Sequence, residues 1–375
     1  MNIVDCFSSN YSEARRKFRH AATAAGANLM SYHNPARPPD EATASALGWA
    51  IPIDGEPLST DVAWLGPRHA PRLLVAQSGT HGVEGFCGSG IQIGWLRSGI
   101  HRDLAPDTAM LLIHAINPHG FAWLRRVNED NVDLNRNFVE HDGDYPTNAG
   151  YEALKEAICP DQWTPAALAA SEAAFAAYTA SHGEMALQAA ISSGQYSDPR
   201  GVFHGGRHAT WSNQTLTEVL RHHASDARQV AVIDLHTGLG PYGVGEIMNN
   251  HNAGEAAFDR VNSWFGEQAT STEAGSSSSA PVFGDITNGF LRALPAAAVT
   301  AITLEYGTVP LKPVLDSVRA DNWLHAHGGL GLPLARDIKA RIRAAFYPDK
   351  DDWKQMVFDR AREVLGWSIR GLAQG

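Results

Sequence analysis

Short apolar runs rich in Val, Ile and Leu recur along the chain: VAWLG (62–66), RLLVAQSG (72–79), AMLLIHAIN (109–117), QVAVIDLH (229–236) and AVTAITLEYG (298–307). None alternates strictly between apolar and polar positions, which is the mark of strands covered on both faces. Helical spacing fills the segments between them. Together these predict an α/β fold, a mixed or mostly parallel central sheet sandwiched between helices. Helices are expected over 165–182, 315–327, 333–346 and 351–366, and a loop over EAGSSSSAP (273–281). No repeat or linker divides the chain. The expectation is one catalytic domain over 1–375, with 1–58 as an N-terminal extension packed on it and 139–228 as a helical and loop insertion shaping the pocket.

With 375 residues, 44% of them hydrophobic, the chain can bury a sizeable core. A net charge of -10 and the lack of any dense Lys/Arg run argue against nucleic acid or a membrane surface as partner. A small peptide or other small-molecule substrate is the better expectation, and self-association is left open. The N-terminus lacks the apolar core of a signal peptide, and no stretch reaches the ~18 apolar residues of a membrane span. Three scattered cysteines, Cys6, Cys87 and Cys159, make no disulfide framework, which points to a cytoplasmic location.

Four polar clusters sit at or just after the predicted strands, where ligands bind in open α/β sheets. In SGTHGVEGFCGSG (78–90), His81 and Glu84 stand three apart and offer an imidazole and a carboxylate to one metal ion. In DLHTGLG (234–240), His236 ends a strand and completes a two-His, one-carboxylate set with a position left open, as a catalytic zinc requires. In TLEYGT (303–308), Glu305 ends another apolar strand and suits a general base. In RRVNEDNVDLNRNF (125–138), Asn135 and Arg136 suit a carboxylate clamp, Arg126 suits an oxyanion, and Asp133 suits an outer partner of a zinc-bound imidazole. Each cluster also has a plainer reading: a packed strand-end His, a salt-bridged Glu, a charged loop.

The ordered set of H-x-x-E, then NP-x-G (Asn117 to Gly120), then R-x-N with VDLNRNF, then a strand-end His and a strand-end Glu resembles the zinc carboxypeptidase family. More narrowly, SGTHGVEGFCGS and DLHTGLG are similar to a bacterial carboxypeptidase-like branch, related to the succinylglutamate desuccinylase/aspartoacylase group. The resemblance implies a mixed sheet of about eight strands and one zinc ion held by His81, Glu84 and His236. It also implies Glu305 as base and acid, Arg126 on the oxyanion, Asn135 and Arg136 on a terminal carboxylate, and Asp133 behind the first His. The family's substrate-closing Tyr has no counterpart, since no Tyr lies between Tyr242 and Tyr306, and GQYSDPRGVFHGGRHATWSNQ (194–214) is unfamiliar. Three functions compete: a zinc hydrolase cutting an amide next to a free carboxylate, an N-acyl amino acid deacylase, and a catalytically inactive binding protein.

Overall fold

The computed structural model describes residues 1–49 and 56–374; residues 50–55, within the expected 1–58 extension, lie outside the described residues. Eight strands follow the chain as β1 (Asn28–His33), β2 (Ser59–Leu65), β3 (Arg72–Ser78), β4 (Thr108–His114), β5 (Gln229–Tyr242), β6 (Gly245–Asn249), β7 (Ala269–Ser271) and β8 (Ala298–Gly307). They form one sheet in the order β1-β2-β4-β3-β5-β8-β6-β7. The central run β4-β3-β5-β8 is parallel, and β1, β2 and β6 pair antiparallel to their inner neighbours. The five apolar runs of the sequence supply β2, β3, β4, β5 and β8, because helices on both faces bury all of β2 and β4 and all but the ends of β3, β5 and β8.

One core lies between the sheet and helices Tyr11–Ala24, Gly85–Ser98 and Asp351–Gln374. The opposite core lies under helices Trp211–His223 and Thr287–Ala293. The helix Gly85–Ser98 is buried from Gly85 through Leu96, so it is apolar nearly all round rather than amphipathic. Its Gln92 donates to the carbonyls of Ala76 and Ile113, both at 3.0 Å, and pins it across β3 and β4.

The helices at 165–182, 315–327, 333–346 and 351–366 are present as Pro165–His182, Leu311–Ala326, Ala335–Phe346 and Asp351–Gln374. The last continues eight residues past its expected end, with Ser368, Gly371 and Leu372 still buried. Among the described residues, no helix is long and apolar enough to cross a membrane.

Candidate active site

Beyond β3 the chain must turn at once, and Gly79 does so with φ +70°, a left-handed conformation that other residues avoid. The single 3-10 turn Gly82–Glu84 then sets Glu84 beside His81. The remaining glycines of this motif serve contact rather than turning. A Cβ on Gly82 would meet the carbonyl carbon of Gly120 at 2.0 Å, and those on Gly85, Gly88 and Gly90 would strike Phe121, Ser78 and Phe7. With the two backbones pressed together, the N–H groups of Gly82 and Val83 donate to the carbonyls of Arg126 and Arg125, at 3.1 and 2.9 Å. Arg126 is thereby docked against the His81 turn.

His236 comes from β5, in register beside Glu305 on β8. His81 Nδ1 lies 2.8 Å from Glu84 Oε1, His236 Nδ1 lies 3.2 Å from Glu84 Oε2, and the two Nδ1 atoms are 3.2 Å apart. All three residues are buried. Among the described residues they are the one group of His, Cys, Asp and Glu side chains able to hold a metal ion, with ligand atoms within 4.8 Å of one another.

The outer nitrogens of both rings face carboxylates: His81 Nε2 is 3.1 Å from Asp133 Oδ1, and His236 Nε2 is 2.5 Å from Asp234 Oδ2. A ring that donates from Nε2 presents the lone pair of Nδ1, so His236 resting on Asp234, and His81 in the tautomer that donates to Asp133, turn lone pairs toward one point. Two imidazole nitrogens and a carboxylate fit a zinc ion in number and type.

Charge is arranged accordingly. Burial alone would raise the Glu84 carboxyl, but His81 and His236 outweigh it and hold the group well below the usual carboxylate range. Asp133 is likewise held low against burial, by Arg126 and Arg136. Burial disfavours a protonated His236, yet Asp234 and Glu84 raise it well above its ordinary value. Glu305 differs. Burial and the charge of Glu84 push its carboxyl up to about 8, although Leu239 N–H donates to Oε1 at 2.9 Å.

The remaining expected residues line the same cavity of about 440 Å³. Arg126 Nε donates to Asp133 Oδ2 (2.9 Å), its Nη1 lies 3.4 Å from Glu84 Oε1, and its Nη2 lies 2.8 Å from His81 Nε2. A guanidinium can only donate, so His81 Nε2 either accepts from Arg126 or donates to Asp133. Arg136 is buried and donates twice to the carbonyl of Ser192 (3.1 and 2.6 Å) and once to that of Asn135 (2.8 Å), which leaves two guanidinium hydrogens unspent. Asn135 Oδ1 accepts from Ile286 N–H at 2.8 Å.

From the 194–214 block, Phe203 forms part of the wall and lies under the guanidinium groups of Arg126 and Arg136, at 5.0 and 5.6 Å. Neither Tyr242 nor Tyr306 reaches the cavity: Tyr242 donates to Asp352 at the surface and Tyr306 is buried. A larger cavity of about 700 Å³ lies elsewhere, between Tyr11, Arg15, Trp49 and Arg343, and touches none of these groups.

Sequence reading missed Asp234, and also Asp285, which lines the same cavity. Asp234 stands two residues before His236 and therefore on the same face of β5, a spacing that could have marked it. Asp285 lies in an irregular segment with no such periodicity.

The fold is carboxypeptidase-like: carboxypeptidase A from Helicoverpa armigera superposes with a TM-score of 0.53 at 13% identity, over 99% of this chain and 75% of that one. Weaker likenesses include bovine thrombin-activatable fibrinolysis inhibitor (TM-score 0.42, 11% identity, 96% of this chain and 99% of that one). Another is a succinylglutamate desuccinylase/aspartoacylase family protein from Shewanella amazonensis (TM-score 0.35, 17% identity, 80% and 72%). No curated protein matches the sequence. A family model described as "Protein of unknown function (DUF2817)" matches residues 7–360, and the chain belongs to that family.

Proposed function

We propose that the protein is a zinc-dependent hydrolase that cleaves an amide or peptide bond next to a free carboxylate. The observation that carries this reading is the pair of imidazoles whose Nδ1 atoms face each other at 3.2 Å beside Glu84 while both Nε2 atoms rest on carboxylates. Nitrogens so arranged beside a carboxylate need a cation between them, a shared proton or a metal ion. His81, Glu84 and His236 would hold that ion, which when bound supplies Lewis-acid polarisation and lowers the pKa of water.

The chain's own residues do the rest. Glu305 takes a proton from the attacking water and returns it to the leaving nitrogen as the C–N bond breaks. Arg126 donates to the oxygen that gains charge as water adds to the carbonyl. Arg136 and Asn135 fix the substrate's carboxylate, with the two unspent guanidinium hydrogens available for it.

A second reading, an N-acyl amino acid deacylase, is favoured by the lack of any tyrosine among the described residues lining the cavity. Metal content of the purified protein, beside a His81→Ala/Glu84→Ala double variant, tests the shared premise. About one zinc per chain, lost in the variant, is expected; a folded protein that takes up no metal on supplementation would leave a binding role instead. A panel of dipeptides and N-acyl amino acids then separates the two hydrolases.

A further inference from the structure

Within the 194–214 block, residues 195–205 form a closed loop. Gln195 N–H donates to the carbonyl of Phe203 at 3.1 Å and Gly205 N–H donates to that of Gln195 at 2.9 Å, so the loop is pinned where it begins and ends. The buried Gln195 side chain braces its inside: Nε2 donates to the carbonyls of Asp198 (2.7 Å) and Val202 (3.3 Å), and Oε1 accepts from the N–H groups of Ser197 (3.0 Å) and Asp198 (2.8 Å). Both donors and both lone pairs of one amide are engaged in holding the loop's shape.

The loop is fastened to the segment that carries the clamp. Asp133 N–H donates to the His204 carbonyl (2.8 Å), Asn131 Nδ2 donates to the carbonyls of Pro199 (3.1 Å) and Gly201 (3.2 Å), and the Tyr196 hydroxyl donates to the Arg136 carbonyl (2.7 Å). What the loop delivers is Phe203, buried and with φ +52°, a left-handed conformation that a bulky side chain adopts only where its surroundings impose it. Over the face of that ring lie the guanidinium groups of both Arg126 and Arg136, 5.0 and 5.6 Å from its centroid, within the range at which a cation is attracted to a ring. The two arginines carry like charge and share one carboxylate, Asp133, at 2.9 and 4.0 Å. The ring attracts both and takes up none of their hydrogens.

We propose that Phe203 is a positioning residue for both arginines: its ring is a shared platform that fixes the planes of the Arg126 and Arg136 guanidinium groups at the cavity wall. The consequence for turnover rests on the hydrolase reading above, whereas the platform stands on the stacking alone. A stacked guanidinium keeps its in-plane N–H groups for a carbonyl or a carboxylate while losing the freedom to turn away from it. Phe203 also belongs to the apolar cluster of Val202, Val314 and Val318. The competing account therefore makes it only an apolar wall, in which case any side chain of similar bulk would serve.

The test compares Phe203→Leu, which keeps apolar bulk and loses the ring face, with Phe203→Tyr, which keeps the ring. Exchange of the guanidinium Nε–H hydrogens is followed by nuclear magnetic resonance on the intact purified protein, with signals assigned through Arg126→Lys and Arg136→Lys. KM and kcat are measured on N-acyl dipeptides with a free carboxyl terminus and on their carboxamides. In Phe203→Leu, exchange at both arginines is expected to quicken roughly tenfold, kcat to fall roughly tenfold, and KM to rise for the free carboxylates alone, with Phe203→Tyr close to wild type in all three. Exchange unchanged in Phe203→Leu, or an equal loss on carboxylates and carboxamides, would overturn the proposal and leave the wall. If no substrate turns over even with wild type, faster exchange in Phe203→Leu keeps the platform while the hydrolase reading falls. Should Phe203→Leu fail to fold, Phe203→Met, equally ringless, carries the same comparison.

Discussion

Asp234 Oδ2 lies 2.5 Å from His236 Nε2, and both side chains leave the same face of β5. The other oxygen of Asp234 accepts from Thr80 Oγ1 at 2.7 Å and from Gln77 Nε2 at 3.3 Å. Those two residues flank the β3 end that carries His81. One carboxylate therefore orients the ring of the second histidine and ties it to the segment bearing the first.

Replacing Asp234 with Asn should keep the packing but lose the anionic partner of the ring. Zinc affinity is expected to fall about 10- to 100-fold, read by competition with a chromophoric chelator. Unchanged affinity would make the contact incidental.

Glu305→Gln preserves an oxygen for Leu239 N–H while removing the proton acceptor. Turnover should disappear while bound zinc stays near one per chain, which steady-state assays and elemental analysis would check together. Turnover at ordinary rates would remove Glu305 from the chemistry.

If Arg136 grips a carboxylate, Arg136→Ala should raise KM for substrates with a free carboxyl terminus at least tenfold and leave carboxamide analogues nearly unaffected. The ratio between the two substrate types is the informative quantity, because a general loss of structure would lower both.

A buried charge cluster outside the cavity makes stability pH-dependent. Asp321 accepts from Lys339 Nζ at 2.5 Å and from Arg125 Nε at 3.1 Å. Burial would raise its carboxyl, but Lys339 and Arg125 together hold it at about 2. A carboxyl lowered on folding contributes stability that is present above about pH 4 and lost as pH falls through its folded value. Denaturation of the wild type should therefore show about 2 kcal/mol lost to this group between pH 4 and 2. Asp321→Asn/Lys339→Met, which removes the pair together, should lose less over that window.

The central sheet was legible because β3, β4, β5 and β8 are buried apolar runs, whereas the edges were not. In β1, NLMSYH is half exposed, and β7 is only three residues long, so neither carries a pattern strong enough to separate it from loop. His81, Glu84, His236 and Glu305 could be singled out because polar groups at the ends of apolar strands stand out. Asp234 was hidden inside such a run, and Asp285 depends on where an irregular segment folds back against Asn135. The glycines of 78–90 were readable as a set but not in their role: Gly79 turns the chain, while Gly82 through Gly90 admit neighbouring atoms, a tertiary fact that spacing does not encode.

His81 follows β3, and His236 and Glu305 belong to β5 and β8, three adjacent parallel strands with further strands on either side. Fraying begins at edges, and the innermost strands of a sheet open only with the whole domain. A binding set suspended from those strands cannot come apart piecemeal. The relative placement of His236 and Glu305, and of the turn that carries His81, should therefore persist through local opening at the sheet edges and be lost only when the whole domain unfolds.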